Sequence, residues 1–118
     1  VGILVANILH ANNLRDIEND RSRAKVTIAT IVGRPAADYL LQALTWGAFV
    51  SVGLAVALGG LPATTLIVAA ALPSALGTVR FLRERDALRL NGLVRASALL
   101  HLRFGLLLAL GLLIDAVF

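Results

Sequence analysis

Cysteine and methionine are absent from these 118 residues, and tryptophan and tyrosine occur once each. Without cysteine there are no disulfides and no thiolate metal site, and the redox compartment leaves no mark on the chain. Aromatic residues make up only 5%, too few to stack nucleic-acid bases, so the net charge of +4 does not indicate a nucleic-acid partner. Charge itself is scarce. Charged residues are 15% of the chain, against roughly 25% in a soluble domain. Hydrophobic residues fill the difference at 58%, with a mean hydropathy of +0.85. This composition is that of a membrane protein, and the basic excess suits anionic lipid headgroups.

The apolar residues fall into four segments. Residues 1–11, VGILVANILHA, are too few to cross a bilayer, which takes ~20 helical residues. They lack the basic start and cleavage site of a signal peptide. The run begins without methionine and in mid-pattern, so the expectation is the C-terminal part of a longer protein, with residues 1–20 closing a helix that starts upstream. Residues 36–58, 63–82 and 96–118 are each expected to cross the membrane, and residues 12–34 and 80–95 to form polar loops, part of the second an amphipathic interfacial helix. Pro35 suits the first turn of a helix, and Asp38 beside it favours that helix N-terminus. Ala43, Gly47, Ser51 and Ala55 form a stripe of small side chains that would let another helix approach closely. Pro73 should kink the third segment. The predicted fold class is therefore all-α, a polytopic transmembrane helix bundle.

Basic residues give the orientation. Arg15, Arg21, Arg23, Lys25 and Arg34 lie in the first loop, and Arg80, Arg83, Arg85, Arg89 and Arg95 in the third. The loop between, GGLP at 59–62, has none. The positive-inside rule makes the two basic loops cytoplasmic.

The first loop, NNLRDIENDRSRAKVT at residues 12–27, carries the chemistry. If helix continues through residue 20, Asn12, Asp16 and Asp20 follow at steps of four, share one face and rise about 6 Å per step. Magnesium takes oxygen ligands, typically one or two carboxylates plus substrate phosphates. Two carboxylates and an amide oxygen meet that demand along an extended diphosphate, whereas Glu18 falls on the opposite side of the wheel. Arg15, Arg21 and Lys25 stand close enough to stabilise charge on a departing pyrophosphate. The same acids and bases also suit a solvated helix end whose charges pair only weakly.

These residues, followed by VGR at 32–34, resemble the second Asp-rich motif of the UbiA superfamily of intramembrane prenyltransferases, within it the subgroup acting on 1,4-dihydroxy-2-naphthoate. The matching positions are Asn12, Asn13, Arg15, Asp16, Asp20, Lys25, Thr27 and Gly33, and LLHLRFGLLLALGLL at 99–113 is similar to the subgroup's last helix. Ala24 stands where the subgroup usually has glycine, a change expected to shift the loop before Lys25.

The resemblance implies a bundle of about nine spans in which two Asp-rich motifs face each other near the cytoplasmic side, each binding Mg2+. Asn12, Asp16 and Asp20 would be the metal positions, Asp16 and Asp20 the catalytic ones. Lys25, Arg21 and Arg15 would meet the diphosphate. The implied reaction is transfer of a polyprenyl group from its diphosphate to 1,4-dihydroxy-2-naphthoate with loss of carboxylate, giving demethylmenaquinone for menaquinone biosynthesis. Implied partners are those two substrates, membrane lipids and the N-terminal half of the same protein. The implied location is the bacterial inner membrane. The first Asp-rich motif is not in these residues, so residues 1–118 expressed alone are expected to be inactive.

Other readings stay open at this stage. The acceptor could instead be 4-hydroxybenzoate or homogentisate, or the chain could be a small non-enzymatic membrane subunit whose charged loops set topology. His101 is a possible proton acceptor, although a lone histidine among leucines more often packs or anchors at the interface. Trp46 and Tyr39 read as packing and interface residues, and Arg103 as an arginine snorkelling toward headgroups.

Overall fold

A computed structural model gives the fold and describes every residue except Arg85. That arginine, counted above among the bases of the third loop, lies outside the described residues. The described elements are all helical: α1 (Gly2–Arg15), α2 (Ile17–Ser22), α3 (Ile28–Val32), α4 (Arg34–Ala57), a 3₁₀ segment (Ala63–Ala71), α5 (Leu72–Arg80), a 3₁₀ turn (Phe81–Arg83) and α6 (Ala87–Val117). Three helical stretches are long and apolar enough to cross a membrane: Arg34–Ala57, Ala63–Arg83 and Leu88–Val117. They lie side by side in a body 55 × 24 × 19 Å, long enough to pass through a hydrocarbon core of about 30 Å with both ends in the headgroups.

Two buried clusters hold the helices together. At the charged end, Ala11, Leu14 and Ile17 meet Ala37, Leu41, Leu82, Leu90 and Leu93. Toward the other end, Leu4, Ala48, Val52, Val68, Ala71, Ala75, Leu100 and Phe104 form the second cluster, with Trp46 and Phe49 packed on it. Phe49 meets Phe104 edge to face at 5.1 Å, a favoured quadrupole geometry. Trp46 is a packing residue, as expected.

Some polar side chains in the helices find partners, while Thr64 Oγ1 and Ser97 Oγ are buried without one. Asn7 Nδ2 donates to Thr45 Oγ1 at 3.1 Å, and Thr78 Oγ1 donates to the Ser74 carbonyl at 3.0 Å. In a medium without water, a group lacking such a partner would be costly.

The fold adds detail to the sequence reading in three places. The small-residue stripe of α4 turns outward: Ala43 and Ser51 are exposed, and a Cβ on Gly47 would meet nothing within 4 Å. The helix buries its other face, Ala37, Leu41, Thr45, Ala48 and Val52, because α1 and the 3₁₀ segment pack there. The third span changes winding: it runs as a 3₁₀ helix to Ala71 and becomes α-helical at Leu72, with Pro73 in the first turn, where proline's missing N–H matters least. At Gly111 the backbone of α6 lies so close that an added Cβ would sit 2.7 Å from the Thr64 carbonyl oxygen. Finally, α6 already begins at Ala87, where the Asp86 side chain accepts from the Leu88 N–H at 2.9 Å. Much of the basic run 80–95 is therefore the first turns of the last helix.

Candidate functional site

The site is built by a break and a cap. α1 ends at Arg15, and Asp16 leaves helical geometry with φ −97° and ψ 7° before α2 resumes. Hydrogen bonds survive on both sides of the break, from Asp16 N–H to the Asn12 carbonyl at 3.0 Å and from Asp20 N–H to the Asp16 carbonyl at 2.8 Å. Asn12, Asp16 and Asp20 thus stay on consecutive turns, although the helix is interrupted at Asp16.

α2 then closes with a Schellman cap. The Ala24 N–H donates to the Arg21 carbonyl at 3.1 Å and the Lys25 N–H to the Asp20 carbonyl at 2.8 Å. The position that makes this possible is Ala24, in the left-handed region at φ 52°. Glycine takes that conformation without strain, which is the physical content of the glycine usual there in the resembling subgroup. The cap folds Lys25 back so that its Nζ lies 3.3 Å from Asp20 Oδ1. A reciprocal Thr27–Thr30 box opens α3, and Gly33, at φ 81°, turns the chain into α4.

The predicted residues occupy contrasting environments. Asp20 is 3% exposed, and its Oδ2 is buried with no hydrogen-bond partner. A buried carboxylate oxygen without a donor or cation is costly, so this atom calls for a positive partner. Asp16 is half-buried, and both of its oxygens are held by Arg15, from Nε at 2.7 Å and Nη2 at 2.6 Å. That hydrogen-bonded guanidinium keeps the Asp16 carboxyl below its ordinary value, so it is ionised at neutral pH. Arg15 also reaches Asn91 Oδ1 at 3.4 Å, tying the motif to α6. Arg21 is exposed, 3.6 Å from Glu18, and extends toward Gly33. Asn12 is partly buried. Among the described residues no three His, Asp or Glu side chains converge on one point. The donor set is two carboxylates and an amide, which fits a hard divalent cation that completes its shell with phosphate oxygens and water.

A cavity of about 430 Å³ opens beside Asp16, lined by Leu14, Arg15, Asp16, Glu18, Arg34 and Leu90 among others. In the sequence Arg34 stands as a topological charge and as the end of the VGR that follows the motif. Here its Nε donates to Asp38 at 2.6 Å and its Nη2 to the Glu84 carbonyl at 3.0 Å, pinning the second charged loop over the first. The i, i+4 spacing of Arg34 and Asp38 is the signal that could have revealed this. His10, also passed over, is buried and bonds the Ala37 carbonyl through Nε2 at 2.8 Å. His101 is half-buried with its Nδ1 unpartnered, and Tyr39 is exposed at the rim of a separate cavity with Asp38, Gln42 and Arg83.

The sequence profile of the UbiA prenyltransferase family matches residues 1–101. The chain belongs to this family. It is also 30% identical, over 116 residues, to the 1,4-dihydroxy-2-naphthoate octaprenyltransferase of Bacillus subtilis (strain 168). That match covers 98% of this chain and 37% of the relative, so the chain spans just over a third of the relative's length. No solved structure matches it significantly. Family membership accords with the all-helical architecture and its three helical stretches long and apolar enough to cross a membrane.

Proposed function

We propose that the intact protein transfers a polyprenyl group from its diphosphate to 1,4-dihydroxy-2-naphthoate, with Asp16 and Asp20 at the diphosphate. The unpartnered, buried Oδ2 of Asp20, in a family of prenyltransferases, is the observation that carries this reading. The name of the B. subtilis relative supports the naphthoate acceptor.

Asn12, Asp16 and Asp20 would hold Mg2+, which when bound neutralises the diphosphate and strengthens it as a leaving group. This chain's residues do the rest. Lys25, folded back by the cap, and Arg21, exposed beside Gly33, donate to the pyrophosphate as its C–O bond breaks and the electron pair leaves with oxygen. Arg15 holds Asp16 ionised and positioned, and stands close enough to join the diphosphate contacts. The allylic cation is attacked by the carboxylate-bearing ring carbon, and CO2 departs with its bonding pair returned to the ring. The apolar faces of α1 and α4 exclude water from the cation. The charged end faces the cytoplasm, in keeping with the basic residues of both loops.

The test is prenyl transfer by the intact protein in membranes. Asp20→Asn should lower turnover by at least about a hundredfold, as expected for loss of an electrostatic catalytic group, with membrane insertion unchanged. Turnover within twofold of the parent would contradict the assignment.

A further inference from the structure

Each carboxylate of the motif already has one of the motif's own cations against it, and the two pairs differ in kind. Lys25 Nζ stands 3.3 Å from Asp20 Oδ1 and leaves Asp20 Oδ2 buried without a partner. Arg15 instead takes both oxygens of Asp16, from Nε to Oδ1 at 2.7 Å and from Nη2 to Oδ2 at 2.6 Å. This two-pronged, charge-assisted clasp is the strong form of the interaction. A divalent cation on Asp16 while the clasp holds would stand beside the guanidinium, and like charges in a half-buried site repel. Asp20 is open to a cation at one oxygen, and Asp16 is not.

The clasp can be exchanged. Phosphate oxygens suit the guanidinium fork as well as a carboxylate does. Arg15 and Asp16 line one cavity of about 430 Å³, so an anion in that space meets the guanidinium beside the carboxylate it holds. The remaining bond of Arg15, from Nη1 to Asn91 Oδ1, is long at 3.4 Å and restrains the fork weakly.

We propose that Arg15 sets the order in which the site fills: it holds Asp16 until a diphosphate takes the guanidinium, and Asp16 becomes a metal ligand only then. This rests on the placing of Asp16 and Asp20 at the diphosphate. The exchange replaces one two-pronged pair by another and strands no charge. A divalent cation alone finds one free carboxylate oxygen, that of Asp20, whereas cation and diphosphate together find both carboxylates and a freed guanidinium. Each therefore tightens the binding of the other.

Mn2+ titration of the intact protein in detergent, following the spin resonance of free Mn2+ with and without a non-hydrolysable prenyl diphosphate analogue, tests this. In the parent the analogue should tighten Mn2+ binding at least about tenfold. R15M should tighten it about tenfold without the analogue, and the analogue should then add little. Tighter binding is an effect that misfolding does not produce. R15K, which keeps the charge but not the fork, should show most of the same gain. In a D16N background, R15M should change Mn2+ affinity by less than about twofold. An unchanged affinity in R15M would overturn the proposal. So would a gain in R15M that R15K lacks, which would make Arg15 only a nearby positive charge. D20N separates the exchange from the assignment of the motif. Weaker Mn2+ binding in D20N with no effect of R15M keeps the motif and removes the exchange, whereas Mn2+ binding indifferent to D20N removes both.

Discussion

At the scale of single residues, the motif works through backbone geometry as much as charge. Ala24 adopts the left-handed conformation that caps α2 and returns Lys25 to Asp20. An L-residue with a Cβ pays about 1–2 kcal/mol there, partly offset by the greater unfolded-state entropy of glycine. Ala24→Gly should therefore raise stability by about 0.5–1 kcal/mol, seen as a higher melting temperature in detergent; a lower one would mean the cap is not formed. Asp16 gives a pH prediction. Its folded-state carboxyl is held below the ordinary value of 3.8 chiefly by the hydrogen bond from Arg15, which outweighs the opposing effect of burial, with the charges of Arg15 and Lys25 adding to the lowering. A depressed carboxyl contributes stability that is complete above its ordinary value and is lost as pH falls through the depressed one. In Arg15→Met the acid limb of both stability and activity profiles should move to higher pH. An unmoved limb would show that Arg15 does not hold Asp16.

At the scale of elements, contact between backbones sets what each helix tolerates. A Cβ at Gly111 would lie 2.7 Å from both the Thr64 carbonyl oxygen and the Thr65 Cα, atoms that belong to main chain and cannot swing aside. Gly111→Ala should cost about 1–3 kcal/mol, the usual penalty of overpacking. Gly105→Ala, with nothing within 4 Å, should instead be neutral or stabilise by up to about 1 kcal/mol through helix propensity. Melting temperatures of the two variants in one detergent check the pair, and equal effects would contradict the close approach of α6 to the 3₁₀ segment. The elements themselves were largely legible. Long apolar runs bounded by Gly33, Pro35 and the GGLP turn mark the spans, because the bilayer demands length and hydropathy and little else. What escaped was set by contact. The 3₁₀ winding lies where α6 approaches closely at Gly111, and the α4 face that α1 covers is the one opposite the small-residue stripe. Neither leaves a periodic signature. In the motif, the four-residue spacing placed Asn12, Asp16 and Asp20 on consecutive turns. The break at Asp16 and the clasp by Arg15 depend on side-chain geometry that spacing does not encode.

At the scale of the molecule, the two basic loops share one end of the bundle, joined by Arg34 reaching the Leu82 and Glu84 carbonyls. The absence of cysteine from these residues makes topology directly measurable. In a cysteine-free form of the intact protein in sealed inside-out vesicles, Val26→Cys should react with an impermeant maleimide and Ala63→Cys should react only after permeabilisation. The reverse pattern would invert the orientation and separate the motif from the cytoplasm. The most direct measurement of the central assignment is anomalous diffraction from the intact protein soaked with Mn2+ and a non-hydrolysable prenyl diphosphate analogue. The account predicts a metal peak in ligand contact with the Asp20 carboxylate and within reach of Asp16, bridging to the diphosphate. A diphosphate bound with its metal elsewhere, and both aspartates turned from it, would contradict the account.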